Sequence, residues 1–160
     1  MTTPPPLDHW AYRVADRDLA AHSFTLIGYK IVDEFDLTLE DGSTAKSYAL
    51  AHPYCPEIFI SSGPSGSKIG RWVEKRGGKG SLHHVAYAVD DVWATMKEWQ
   101  DDGVEFDREE PLVCKCENPL VQVFTKEDPR TGLIYELITR NGHPGFCAAN
   151  VKRLMEGSSE

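Results

Sequence analysis

The apolar and polar positions of this chain fall into a pattern that occurs twice. In "LDHWAYRVADRDLAAHSFTLIG", which starts at Leu7, strict alternation predicts a strand that gives way at Asp16 to helical spacing. Asp16 is suited to cap that helix, and Gly28 is suited to the left-handed position that closes it. "LHHVAYAVDDVWATMKEWQDDG", starting at Leu82, repeats the scheme without gaps at an offset of 75 residues. Leu7/Leu82, His9/His84, Ala11/Ala86, Tyr12/Tyr87, Val14/Val89, Asp16/Asp91 and Gly28/Gly103 coincide. The unit is strand, helix, turn.

Each copy continues into shorter strands. After Gly28 the Asp41-Gly42 hairpin signal and the reversal between Pro53 and Pro56 divide three antiparallel strands. The second copy predicts a short strand from Val104 to Phe106, a loop from Glu109 to Pro119, and two strands joined by a turn from Asp128 to Gly132. The chain is therefore expected to be one α+β domain over residues 1–160, with βαβββ modules at 7–62 and 81–140. Residues 63–80 read as a linker with one short helix. Residues 141–160 read as a tail whose helix offers Phe146, Val151, Leu154 and Met155 to the body. Each module's sheet leaves one face bare, so pairing the modules is expected to form a curved, partly open mixed sheet around a cavity.

Composition narrows the function. A chain of 160 residues buries enough surface for a core of its own. A formal charge of −8 excludes a general nucleic-acid binder. Its one basic cluster, Lys68, Arg71, Lys75, Arg76 and Lys79, reads as a solvated loop and short helix. The N-terminal "MTTPPPLDHW" has no apolar signal-peptide region and no stretch is long enough to span a bilayer, so a soluble cytoplasmic protein without membrane partners is expected. Cys55, Cys114, Cys116 and Cys147 are too few and too irregular for a disulfide framework, and Cys114 and Cys116 form CxC rather than CxxC. They read as ordinary reduced thiols.

The polar residues converge on the small-residue faces of the repeated strands. His9 shares its face with Leu7 and Ala11, and His84 shares its face with Ala86 and Ala88, while Trp10, Tyr12, Val85 and Tyr87 face the helices. His83 matches Asp8 and points the other way. The last strand of each module carries a carboxylate near its start, Glu57 in "PEIFIS" and Glu136 in "IYELIT". An isolated carboxylate buried there costs several kcal/mol, which a metal offsets. His9, His84, Glu136 and Glu57 thus read as a ligand set for a divalent ion of the Zn, Mn, Fe, Co or Ni type.

"LDHWAYRVAD", "GSLHHVAYAVDDV" and "DPRTGLIYELITR" resemble the vicinal oxygen chelate superfamily, which includes glyoxalase I, methylmalonyl-CoA epimerase, extradiol dioxygenases and 4-hydroxyphenylpyruvate dioxygenase. The resemblance implies a divalent metal bound by His9, His84 and Glu136, with Glu57 on the strand that carries a fourth ligand in the epimerase and glyoxalase branches. "PEIFISSGPSGSKIGRWVEKRGGKGSLHHVAY" is similar to the epimerases, whereas "YELITRNGHPGFCAANVKRLMEG" is similar to the end of the hydroxyphenylpyruvate dioxygenases and implies a lid at His143 and Phe146.

Four protein ligands leave a six-coordinate ion two sites, enough for two vicinal substrate oxygens but not for oxygen as well. That favours a metal-dependent epimerase or isomerase working through a stabilised enediolate, with Zn, Mn or Co as cofactor. Glu136 or Glu57 is the expected base on one side of the substrate, and Tyr48, His52 and Tyr54 are the candidates opposite. The resemblance implies a small-molecule substrate, either a polyhydroxy ketone such as a cyclitol ketone of the 2-epi-5-epi-valiolone type or a 2-methylacyl-CoA, and a homodimer. The alternatives are an Fe(II) dioxygenase and a metal-free binding or resistance module.

Overall fold

A computed structural model describes residues 4–158, so the first three residues and the last two of the expected tail lie outside the described residues. The chain divides into two compact units, one from His9 to His83 and the other combining the segment through Asp8 with the chain from His84. The expected α+β class is what the chain adopts: two βαβββ modules, eight strands and four helices among the described residues, the last helix C-terminal. None of those helices is long and apolar enough to cross a membrane.

The N-terminal unit contains β1 (Leu7–Arg13, from His9 onward), α1 (Arg17–Thr25), β2 (Lys30–Thr38), β3 (Thr44–Ala51), β4 (Glu57–Ser62) and α2 (Lys68–Glu74). Its strands lie in the order β2-β3-β4-β1, with β1 and β4 parallel and the other pairs antiparallel. Asp16 starts α1 by accepting the backbone N–H groups of Asp18 and Leu19. Gly28 ends the turn at φ +103°, and its repeat mate Gly103 does the same at φ +91°, a region closed to most side chains. Trp10, Tyr12, Ile58 and Ile60 pack with Ala21 and Phe24 of α1, so the bulky face lies under the helix as the alternation predicts. The linker helix α2 is packed rather than freely solvated: Ile69, Trp72 and Val73 are buried, while Lys75, Arg76 and Lys79 remain exposed.

The C-terminal unit contains β5 (Ser81–Ala88, from His84 onward), α3 (Val92–Asp101), β6 (Leu112–Val113), β7 (Val121–Phe124), β8 (Tyr135–Thr139) and α4 (Ala148–Gly157). Its strand order is β5-β8-β7-β6, again with one parallel pair, β5 and β8. The edge differs from expectation. Phe106 makes only an isolated bridge to Thr125, and β6 forms inside the predicted loop, where Leu112 pairs with Gln122. From Phe106 to Leu112 the edge takes more residues than its partner does from Thr125 to Gln122, so the ladder is interrupted, and Pro111 has no N–H to offer it.

Helices pack on both faces of the strands of this unit. Val92 and Met96 of α3 pack on Val121, Val123 and Leu137. On the other face Leu154 of α4 packs with Leu112, Phe124 and Ile134. Burial of Val151, Leu154 and Met155 fastens α4, each side chain contributing at most about 1.5–3 kcal/mol. Ahead of α4, Arg140 binds both carboxylate oxygens of Asp8 at 2.7 and 2.8 Å and donates to the carbonyls of Gly145 and His143 at 2.7 and 3.3 Å. The tail is therefore tied down before its helix begins.

Candidate metal centre

In the C-terminal unit β5 and β8 run in parallel, with Ala86 opposite Glu136. His84, one pleat earlier on β5, places Nε2 2.9 Å from Glu136 Oε2. Glu136 is 1% exposed and His84 is 8% exposed. Two donors each about 2.1 Å from one ion, at right angles, lie about 3.0 Å apart, so this pair has the spacing of neighbouring ligands.

The rest of the carboxylate is held from the next strand. Gln122 Nε2 donates to Glu136 Oε1 at 2.7 Å, and Asn150 Nδ2 on α4 donates to Gln122 Oε1 at 3.1 Å and to the carbonyl of Leu120 at 3.4 Å. The chain runs one way, because a carboxylate only accepts and the Gln122 amide must turn its nitrogen toward it. Phe124 lies against His84, with ring centroids 4.5 Å apart. Outer hydrogen bonds of this kind orient a metal-binding carboxylate and exclude alternative rotamers.

Gln122 and Asn150 were not among the residues the pattern singled out. Each left a trace: Gln122 is the one polar residue in "LVQVF", and Asn150 sits on the buried stripe of α4 between apolar turns. Replacing Asn150 with alanine strips a donor from Gln122 and frees its amide to turn. The expected result is a fall of about 10–100-fold in divalent-metal affinity, read by competition titration, and unchanged affinity would separate Asn150 from the centre.

In the N-terminal unit His9 is 2% exposed, and β1 pairs with β4 so that His9 faces Glu57, Ala11 faces Phe59 and Arg13 faces Ser61. Ala11 is the repeat mate of Ala86, which faces Glu136. The position equivalent to Glu136 is therefore Phe59, and Glu57 lies one pleat away, about 6.6 Å along the strand. Phe59 is buried against Phe35 at 5.7 Å, and Glu57 is half-buried. The same face carries Ser47 and Ser61, whose hydroxyls lie 2.9 Å apart.

Tyr48, His52 and Tyr54 are placed elsewhere in this unit. Tyr48 pairs with Ile60, on the α1 side, and its hydroxyl donates to Asp18 at 2.8 Å. That bond to Asp18 holds the phenol above its ordinary pKa. His52 packs on Tyr29 and braces a loop through the Ile27 carbonyl, at 3.1 Å, and the N–H groups of Tyr54 and Cys55. Tyr54 is 92% exposed. His83 packs edge-on against Trp72, at 5.4 Å.

Comparison with known proteins bears on both units. A family model described as the Glyoxalase/Bleomycin resistance protein/Dioxygenase superfamily matches residues 8–112. A curated relative, 4-hydroxyphenylpyruvate dioxygenase of Pseudomonas aeruginosa, is 27% identical over 146 residues, covering 71% of this chain and 40% of its own length. Among solved structures, a mutant of 4-hydroxymandelate synthase from Streptomyces coelicolor superimposes with a TM-score of 0.83 at 21% identity, over 96% of this chain and 53% of that one. Methylmalonyl-CoA epimerase from Mycobacterium tuberculosis superimposes with a TM-score of 0.68 at 23% identity, over 88% of this chain and 91% of that one. The chain thus spans about 40% of the curated relative it matches, and the likenesses to solved structures are likenesses of fold. With two thirds of its length matched by one family model and two βαβββ modules in its fold, the chain belongs to the glyoxalase/bleomycin resistance protein/dioxygenase superfamily.

Proposed function

We propose that this protein is a metal-dependent isomerase that moves a proton on the carbon beside a carbonyl, with His9, His84 and Glu136 as metal ligands and Glu57 as base. The observation that carries the reading is the contrast between the two carboxylates. Glu136 is committed through both oxygens, to His84 and Gln122, whereas Glu57 shares a face with His9 and is offset from the position equivalent to a ligand. A divalent ion held by two imidazoles and a carboxylate supplies Lewis-acid polarisation of a carbonyl and its neighbouring oxygen.

Glu57 then takes the proton and returns it. Tyr48 lies on the opposite face of its sheet, and His52 and Tyr54 belong to a turn, so one carboxylate serves both directions. The double bond keeps that carbon planar, so inversion requires the whole intermediate to turn its other face to Glu57 before the proton returns, and return to the same face gives exchange with retention. Ser47, Ser61 and Arg13 give this face a polar lining. Such a lining suits a small polyhydroxy ketone, of the cyclitol-ketone kind, better than the acyl portion of a 2-methylacyl-CoA. Exposed Leu19, Leu26, Ile27, Ile31 and Val32 accord with a homodimer.

A second reading rests on Phe59. With an aromatic ring where a fourth ligand would stand, three protein ligands leave an ion three open positions, the requirement of an Fe(II) dioxygenase acting on a 2-keto acid. The dioxygenase relative and the likeness to 4-hydroxymandelate synthase favour the same reading.

Proton NMR in deuterated water separates the two. Protein supplied with Zn, Mn or Co is incubated with cyclic 2-hydroxyketones and 2-methylacyl-CoA esters, and exchange beside the carbonyl is the expected result. Absence of exchange across the panel, with oxygen uptake on Fe(II) and 2-keto acids, establishes the dioxygenase instead. Binding without either reaction establishes a sequestering module.

A further inference from the structure

We propose that Cys114, Cys116 and Cys147 form a second metal site, a three-sulfur cradle for a thiophilic ion such as Zn(II) or Cu(I). The three come from separate places in the C-terminal unit: Cys114 directly follows β6, Cys116 lies in the loop beyond it, and Cys147 caps the start of α4. Their sulfur atoms all lie within 4.8 Å of one another, and those of Cys116 and Cys147 are 3.6 Å apart. A tetrahedral ion with bonds of about 2.3 Å to sulfur sets its ligands about 3.8 Å apart, so only small side-chain rotations separate the cluster from a coordinating arrangement.

The backbone around the cluster favours charge on sulfur. The N–H of Leu120 donates to Cys114 Sγ at 3.3 Å. Burial pushes the Cys147 thiol up, but the N–H groups of Asn150 and Ala149, together with the Cys116 thiol, outweigh it and hold Cys147 below the ordinary thiol value. The Cys116 thiol is pushed up to about 12, first by its hydrogen bond with Cys114 and then by burial and Cys147. Three sulfurs in this space keep a proton when no cation is present. A metal displaces it.

Access and separation complete the case. Cys114 is buried, whereas Cys116 and Cys147 are half-buried, leaving a path for an ion. Apolar neighbours Ala86, Leu120 and Ile138 line the inner side. No residue is shared with His9, His84 or Glu136. Occupancy would clamp the start of α4 to the end of β6, and α4 carries the Asn150 amide that orients Gln122.

Co(II) is the probe for the test. The reduced full-length protein is titrated with Co(II) and then with Zn(II) as competitor, watching the near-ultraviolet thiolate-to-cobalt charge-transfer band that nitrogen and oxygen ligands do not produce. The band is expected in the wild type and in Cys55→Ser, and lost in Cys116→Ser and Cys147→Ser. Because a variant could fail to fold, the wild type is also alkylated with and without Zn(II) or Cu(I) and mapped by mass spectrometry. Protection of Cys114, Cys116 and Cys147, with Cys55 still reactive, supports the site, and the ion giving protection at the lower concentration identifies its preference. No band and no protection, or a Cys116–Cys147 disulfide in the map of freshly purified protein under non-reducing conditions that no metal prevents, overturns it.

Discussion

His84→Ala is expected to lower divalent-metal affinity by at least about 100-fold, while His83→Ala leaves it nearly intact. The two residues are adjacent and chemically identical, so the pair isolates strand orientation as the cause. His84 Nε2 lies 2.9 Å from Glu136 Oε2, and its removal leaves a carboxylate that is 1% exposed without its imidazole neighbour. Leaving a buried carboxylate oxygen without its partner costs about 1–3 kcal/mol, so a lower Tm accompanies the loss of metal. His83 packs against Trp72, and its replacement disturbs α2 without touching Glu136. Metal content after dialysis, measured on both folded variants, is the check. Equal content in the two would refute the assignment.

Glu57→Gln is the second large effect. If Glu57 is the base, the variant binds metal at unchanged stoichiometry and loses about 10²–10⁴ in the rate of carbon–hydrogen exchange. If Glu57 is instead a fourth ligand, metal affinity falls with activity. The amide is nearly isosteric with the carboxylate, so packing beside His9 is preserved and the two outcomes are not confused by unfolding. A Glu57→Gln protein retaining both full metal content and full exchange would remove Glu57 from the chemistry altogether.

What could be read from residues alone followed the range of the interactions involved. Helix starts at Asp16 and Asp91 and the glycine turns at Gly28 and Gly103 depend on neighbours within a few positions, and all are found in the structure. The apparent symmetry of Glu57 and Glu136 was different in kind. Both stand near the start of a final strand, yet only the pairing of β1 with β4 and of β5 with β8 reveals that Phe59 is the true counterpart of Glu136. Register between distant strands leaves no local periodicity. The same limit hid the cysteine cluster, because Cys147 reaches Cys116 only through the docking of α4 across the sheet. It also hid the broken edge, where Phe106 makes only an isolated bridge and pairing resumes at Leu112, beyond Pro111.

The position of α4 has a consequence for how the protein is made. Ribosomes deliver Gln122 and Glu136 before Asn150, so during synthesis the face bearing Glu136 is exposed without the helix that will cover it. Leu112, Phe124 and Ile134 are bare over the same interval, a sticky surface on a nascent chain. Full preorganisation of the Glu136 carboxylate thus waits on the docking of α4, and on the proposed reading tight metal capture follows that helix rather than preceding it.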